Sequence, residues 1–414
     1  MAKRPGIFPT FFLSGFECST FRWKDKRRRN LVRETKHDEH VHEDYQLLRQ
    51  LGIAVAREGV PWPFVDRAGK YDFSCIDPMI DAMNQAQVIP IWSLCQYGYP
   101  DDLDPFTDEF TDRFTRYCRA VAEYVIKRVH GPYFFTPFNE ITFFAFAGGE
   151  MGWIAPYKNT REDRFKLREV LCKAAIAGIK AIRAVEPKAR IINNDPLVQI
   201  VAPRDRPDLK KAAEEETYVD TFRAWDILCG KELPELGGGP DILDIVGPNN
   251  YSFGQMEYRE NAPHVALPPG DDRIKPLGEL LSLVWKRYQR PMIIAETSGL
   301  GKGRDEWLDD VMEESLAAVN DGMDLHGICL FPLVDMPDWH NGKWLHNGIC
   351  DLVEEDGDLK RVPDKAYIDT LRKWQKELNR VTVLDEDPFS DPVELQDVIE
   401  AAKRLKKTSD VDWS

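Results

Sequence analysis

The sequence predicts a single α/β domain, a (β/α)₈ TIM barrel with extended loops on its C-terminal face. Three observations carry this. Eight short apolar runs recur from end to end, each of the length of a buried strand. Amphipathic, helix-length stretches alternate with them, the pattern of parallel strands covered on both faces. The first run leads into Phe-Leu-Ser-Gly-Phe-Glu-Cys-Ser, which has one Gly. A doubly wound open sheet would place a Gly-rich phosphate turn there, so the barrel is preferred. The 414 residues exceed an ordinary single core, yet barrels of this kind run well past ~250 residues as one unit. The barrel is expected over residues 1–380 and a charged, partly helical tail over 381–414.

Taken in order, the first strand is expected at Phe11–Phe16. It is followed by a basic loop, Lys24–Asn30, and an amphipathic stretch at Glu43–Leu51. The second strand, Ala54–Arg57, precedes a helix at Ile76–Gln87. The third, Val88–Leu94, precedes one at Thr107–Val129, where Asp101, Thr107 and Asp108 supply cap chemistry for the first free amides. The fourth, Tyr133–Pro137, is followed by an aromatic, Gly-rich loop over 141–160 and a helix at Arg164–Val185. Strands five and six are expected at Arg190–Asn194 and Ile242–Val246, with a second long loop over 253–275. Strand seven, Pro291–Ala295, precedes a helix at Ser315–Asp321. Strand eight, Gly327–Leu333, runs into the third long loop, 335–365. These three loops follow strands four, six and eight, on the face where barrel enzymes assemble their sites. A weakly amphipathic helix is expected in the tail at Val393–Lys406.

Composition narrows the partners. The chain has 55 basic and 70 acidic residues, a net charge of −15. It therefore lacks the cation excess that displaces counterions from nucleic acid or draws a protein to an anionic membrane. No run of ~18 uncharged apolar residues occurs, which disfavours a membrane span. The opening residues lack the apolar core of a secretory signal. The eight Cys are scattered singly, without a CxxC pair, as in a chain kept reduced. A cytoplasmic protein with a small-molecule substrate is expected, and assembly into a homo-oligomer is compatible with this reading.

Two carboxylates stand out. Glu140 follows Tyr-Phe-Phe-Thr-Pro-Phe-Asn at the end of strand four, and Glu296 follows Pro-Met-Ile-Ile-Ala at the end of strand seven. A carboxylate directly after an apolar strand sits partly desolvated at the barrel mouth and must be paired, protonated or in use. Two of them facing one cavity suit a retaining glycosidase. One carboxyl group attacks the anomeric carbon and the other, about 5–5.5 Å away, protonates the departing oxygen.

The surrounding motifs resemble glycoside hydrolase family 1, the β-glucosidase family. Phe-Thr-Pro-Phe-Asn-Glu-Ile, followed by Ala-Gly-Gly-Glu-Met-Gly-Trp-Ile-Ala-Pro, is similar to its acid/base strand and loop. Ile-Ile-Ala-Glu-Thr-Ser-Gly is similar to its nucleophile strand. His-Glu-Asp-Tyr-Gln-Leu-Leu-Arg-Gln-Leu-Gly-Ile-Ala-Val-Ala-Arg, Ile-Pro-Ile-Trp-Ser-Leu-Cys-Gln-Tyr-Gly-Tyr-Pro, Gly-Pro-Asn-Asn-Tyr-Ser and Leu-Phe-Pro-Leu-Val-Asp-Met-Pro-Asp-Trp match further barrel-end segments in chain order, over roughly residues 11–380. The resemblance implies Glu140 as acid/base and Glu296 as nucleophile. It implies Asn139 at the sugar 2-hydroxyl, Tyr251 donating to the nucleophile and Arg57 beneath it. It also implies Glu17, Gln96, Tyr97, Asn249, Phe331, Asp338 and Trp339 as sugar contacts, and neither cofactor nor metal. Several of these depart from the family pattern: Glu17 stands where a Gln is usual, Gln96 for a His, Phe331 for a Trp and Asp338 for a Glu. Such changes replace two-way hydrogen-bonding groups or shorten their reach, which opens the choice of sugar.

Competing readings of the same residues remain open. Glu140 and Glu296 could each belong to a structural ion pair at the rim, and Arg57 could be a plain counterion. Trp62, Tyr97, Trp153, Phe253 and Trp344 are candidates to stack on sugars but equally suit helix–sheet packing. His37, His40 and His42, set among Asp38, Glu39 and Glu43, have the look of a metal cluster, against which stands their place at a helix start, where acidic side chains complement the dipole. A transglycosylase, another family of the same clan, a catalytically silent sugar-binding barrel and a metal-dependent hydrolase are the rival functions.

Overall fold

The computed structural model describes residues 6–260 and 262–381. Eight parallel strands close a barrel: β1 (Phe12–Gly15), β2 (Val55–Gly59), β3 (Ile89–Ser93), β4 (Phe134–Thr136), β5 (Arg190–Pro196), β6 (Ile245–Asn250), β7 (Met292–Thr297) and β8 (Leu325–Leu330). Each pairs with the next in sequence, and β8 returns to β1 through Phe12–Ile328 and its neighbours. The predicted (β/α)₈ TIM barrel is the observed fold.

Alternation along the strands divides the apolar residues between two cores. Leu13, Val55, Ile91, Phe134, Ile192, Ile245, Ile293 and Cys329 point inward and fill the barrel. Phe8 joins them from below, its ring 4.8 Å from that of Phe134. The alternate residues meet the surrounding helices: α1 (His37–Gln50), α2 (Asp77–Ala86), α3 (Asp108–Val125), α4 (Arg161–Val185), α5 (Lys210–Thr221), α6 (Leu277–Tyr288), α7 (Arg304–Asn320) and α8 (Lys365–Val381). The ring closes where α8 lies between α7 and α1, with the Trp374 indole donating to Asp309 at 2.6 Å and the Gln375 amide to Leu51 O at 2.7 Å.

Several elements differ from expectation. α1 begins at His37 rather than Glu43, with Asp38 and Glu39 in its first turn and Val41 buried. α4 begins at Arg161, because the Thr160 hydroxyl accepts from Asp163 N at 3.0 Å and starts the helix a turn early. α7 begins at Arg304, not Ser315. Its buried Leu308, Val311, Met312 and Ser315 keep helical spacing beneath a charged outer face. β6 starts three residues late, since Ile242 N bonds back to Gly239 O in a turn, and it continues through the polar Pro-Asn-Asn to Asn250. The first half of residues 141–160 is not loop: Ile141–Ala145 is helical and runs into a π turn at Phe146–Glu150. The stretch over 253–275 supplies two short strands to a sheet with Gln199–Val201, and that over 335–365 contains the hairpin Cys350–Glu355/Asp358–Pro363.

Among the described residues no helix is long and apolar enough to cross a membrane. All eight cysteines are unpaired. The expected tail helix, Val393–Lys406, lies outside the described residues.

Candidate active site

Glu140 and Glu296 both reach the C-terminal mouth of the barrel. Glu296 lies within β7, its Cα in register with Asn249 of β6. Glu140 follows β4, where Asn139 N donates to Cys95 O and Glu140 N to Asn194 O. These bonds turn the chain out of the strand and leave Glu140 at φ +48°, a left-handed conformation uncommon outside glycine. Tyr97, at the equivalent bend after β3, has φ +63°. Both carboxylates are buried, with relative exposures of 9% and 5%.

One chain of hydrogen bonds joins them. Arg57 from β2 donates to Glu296 Oε1 at 2.5 Å and, through its other terminal nitrogen, to Asn139 Oδ1 at 2.6 Å. The Asn139 amide donates to the Tyr97 hydroxyl at 2.8 Å, and that hydroxyl donates to Glu140 Oε2. The remaining oxygens are held as well: Asn249 donates to Glu140 Oε1 at 2.8 Å and Tyr251 to Glu296 Oε2 at 2.8 Å. Phe331 forms a floor, its ring centroid 4.9 Å from the Arg57 guanidinium carbon. Gly15 permits this packing, since a Cβ there would lie 2.8 Å from the Arg57 Cβ.

The two carboxyl groups therefore sit in opposed environments. Glu296 has a guanidinium and a phenol. Among the described residues Glu140 has no cation of its own: burial, then the charge of Glu296, push its carboxyl up to about 8, against the lowering effect of Tyr97 and Asn249. Burial works against the Arg57 charge, but Glu296 more than offsets it and the guanidinium is held above its ordinary value.

Glu17 is a third buried acid beside the pair. Its Oε1 accepts from Ser19 N at 2.8 Å and from the Gln96 amide at 3.2 Å, while the Cys18 thiol donates to Gln96 Oε1. Burial, partly offset by Ser19, pushes it up to about 7. Trp339 stands edge-on to Tyr97, with centroids 5.3 Å apart. Asp338 turns its Oδ1 toward His340 N and Asn341 N and ties up its own turn. Of the other aromatic candidates, Trp62 lies in the helix–sheet core stacked on Tyr117, and Phe253 is exposed and stacked on Tyr251. The three histidines do not converge: His37 is buried between Asp44 and Glu58, His40 bonds Glu43 and Asp358, and His42 is exposed.

Two further residues belong to the site. Asn194 donates to Asn139 Oδ1 at 2.5 Å. Asp195, buried behind Glu140 and holding Thr142 through two hydrogen bonds, is pushed by burial up to about 7. Their signal was the one that marked Glu140, a polar Asn-Asn-Asp directly after an apolar run.

The model of glycosyl hydrolase family 1 matches residues 24–229. Aryl-phospho-β-D-glucosidase BglC of Bacillus subtilis (strain 168) is 22% identical over 411 residues, covering 80% of this chain and 85% of that protein. Over those residues the chain is similar to glycosyl hydrolase family 1. Solved structures share the barrel. A β-glucosidase from Thermotoga maritima in complex with glucoimidazole superposes with a TM-score of 0.73 at 16% identity, covering 91% of this chain and 99% of that one. A β-glycosidase from Pyrococcus horikoshii gives 0.73 at 19% identity, covering 91% and 98%. The protein is a glycosidase of the β-glucosidase-like kind.

Proposed function

We propose that this protein is a retaining hydrolase of small β-glycosides, with Glu296 as nucleophile and Glu140 as acid/base. The observation that carries the reading is the opposed environment of the two carboxyl groups: Arg57 and Tyr251 each donate a hydrogen bond to Glu296, whereas burial, with no cation beside it among the described residues, favours a protonated Glu140. In the first step Glu296 attacks the anomeric carbon, the bond to the leaving oxygen breaks, and the Glu140 proton passes to that oxygen. The product is a glycosyl ester of Glu296 and a free alcohol.

Forming the ester removes the Glu296 charge, the second-largest influence holding the Glu140 proton. Glu140, now ionised and easier to keep so, takes a proton from water as its oxygen attacks the anomeric carbon and Glu296 departs. Each step thus sets the protonation the next one needs. Asn139, which bonds both Arg57 and Tyr97, aligns the two halves. Glu17, Gln96, Asn249 and Trp339, tied to the carboxylate pair directly or through Glu17 and Tyr97, are the sugar contacts of this reading, and Asp338 acts only through its turn.

The reading is tested with a panel of aryl 2-deoxy-2-fluoro β-glycosides, followed by peptide mass mapping. A stable adduct on Glu296 is expected, and the sugar that labels fastest identifies the glycone. Labelling of another residue, or turnover that persists in Glu296→Ala, would remove the assignment.

A further inference from the structure

Glu140 stands at the N-cap of the helical segment Ile141–Ala145, yet its carboxyl makes no capping bond there. Both of its oxygens are taken up across the cavity instead, Oε2 by Tyr97 and Oε1 by Asn249. The amide of Thr142, the second helical residue, is a donor that the N-cap side chain ordinarily satisfies. Glu140 therefore has a local alternative to its place in the site, because a helix N-terminus favours a negative charge.

Asp195 closes this alternative. It follows Asn194 near the end of β5, and alternation along the strand turns the two side chains to opposite faces. Asn194 bonds Asn139 in the site, whereas Asp195 meets the helical layer outside it. There its Oδ1 accepts from Thr142 N at 2.9 Å and its Oδ2 from the Thr142 hydroxyl at 2.7 Å. Both residues are buried, so water does not compete for these bonds. Asp195 is held from behind as well. Its Cα pairs with Pro248 of β6, and the cation that faces it is Arg168 of α4. That guanidinium is buried, stands 4.0 Å from Asp220 and hydrogen-bonds none of the described residues.

We propose that Asp195 is a positioning residue for the acid/base: it caps the helix in place of Glu140 and so leaves the Glu140 carboxyl free to serve the leaving oxygen. The inference rests on the glycosidase reading and adds a residue from outside the cavity. The charge of Asp195 acts in the same sense. Around Glu140 stand Glu296 from β7, Tyr97 after β3, Asn249 from β6 and Asp195 from β5. The two carboxylates help Glu140 keep its proton, and Tyr97 and Asn249 oppose them. Removing Asp195 takes away a negative charge and frees the Thr142 amide for an ionised Glu140. Both effects lower the pH at which Glu140 releases its proton.

The test measures kcat/KM against pH for Asp195→Ala and Asp195→Asn, on aryl β-glycosides with poor and with activated leaving groups. In Asp195→Ala the poor leaving group should lose about tenfold or more and the activated one less, since the poor one depends more on the proton. The alkaline limb of that variant should move down by about half a pH unit or more. Asp195→Asn keeps an acceptor for the Thr142 amide. It should retain most of the rate, with a smaller downward shift from the lost charge alone. A cap that served only the fold would lower the melting temperature of both variants and leave the limb in place. An unmoved limb in both variants, an Asp195→Ala loss equal on the two substrate classes, or an Asp195→Asn variant as impaired as Asp195→Ala overturns the proposal. Where Asp195→Ala does not fold, the limb of Asp195→Asn decides alone. If the unaltered protein turns over no aryl β-glycoside at all, it is the glycosidase reading that fails.

Discussion

Glu140 combines a left-handed backbone, burial to 9% exposure and, among the described residues, no cationic partner, each unfavourable alone. Such costs, of order 1 kcal/mol or more apiece, cluster where a side chain is held for chemistry rather than for stability. In the proposed mechanism the proton on Glu140 is needed for the first step. The kcat/KM profile should therefore fall on its alkaline side as pH rises through about 8. Tyr97 lowers that value by donating to the carboxylate, so Tyr97→Phe should move the limb upward by a fraction of a pH unit as well as reduce the rate. Glu140→Gln should lose most activity on substrates with poor leaving groups and keep more on activated aryl glycosides. A limb that stays in place in Tyr97→Phe, or a Glu140→Gln variant equally impaired on both substrates, would separate Glu140 from the proton transfer.

At the scale of elements, the mouth of the barrel is braced by a second polar cluster behind β2. His37 at the start of α1 bonds Asp44 at 2.7 Å and Glu58 of β2 at 3.0 Å and stacks on Phe16, with centroids 3.8 Å apart. Arg361, in the hairpin after β8, completes it by reaching Asp44 at 2.7 Å. Burial opposes the His37 charge, but Glu58 and Asp44 raise it to about 9, so the imidazolium is a permanent structural cation at neutral pH. His37→Leu should cost about 3 kcal/mol, because Glu58 and Asp44 stay buried with one cation fewer. Denaturant unfolding measures this, and a loss below about 0.5 kcal/mol would show the pair to be no better than an exposed one. Apart from Arg57 and Tyr251 at Glu296, which the family resemblance implied, neither the cluster nor the active-site network was legible in sequence, and for one reason. Arg57 and Glu296 lie 239 positions apart, and Asp44 and Arg361 lie 317 apart. What the sequence did expose was the anomaly of polar residues ending apolar runs, which located Glu140 and Glu296. The same anomaly was present at Asn194-Asp195, where the strand was ended two residues early. Helix starts were misplaced where a charged outer face hid the buried stripe, as between Arg304 and Ser315 in α7.

For the whole molecule, the buried ionisable groups tilt stability in one direction. Glu17, Asp195 and Glu140 are raised by burial to about 7, 7 and 8. The folded state thus keeps protons that the unfolded chain has already released above the ordinary carboxylate range. Their contribution is full below about pH 4 and is lost as pH rises through 7 to 8. His37, raised to about 9, has the same sign: its contribution is full below about pH 6.5 and disappears as pH rises through 9. Asp44 and Glu216 act oppositely. Burial would raise both, but the cations beside them hold them low, so their contribution is lost as pH falls below the ordinary carboxylate range. Stability should therefore peak near pH 4–5, and the melting temperature should drop by about 5 °C or more between pH 6 and pH 9. Calorimetry across that range, at fixed ionic strength to hold the screening of the −15 net charge constant, measures the slope. Glu140→Gln should flatten it and raise the melting temperature at pH 8, because the variant no longer has a buried group to ionise. A melting temperature that is level from pH 6 to 9, or a Glu140→Gln variant no more stable than the parent at pH 8, would mean that the acids at the barrel mouth are ionised in the folded protein, and the proton assigned to Glu140 would have to be placed elsewhere.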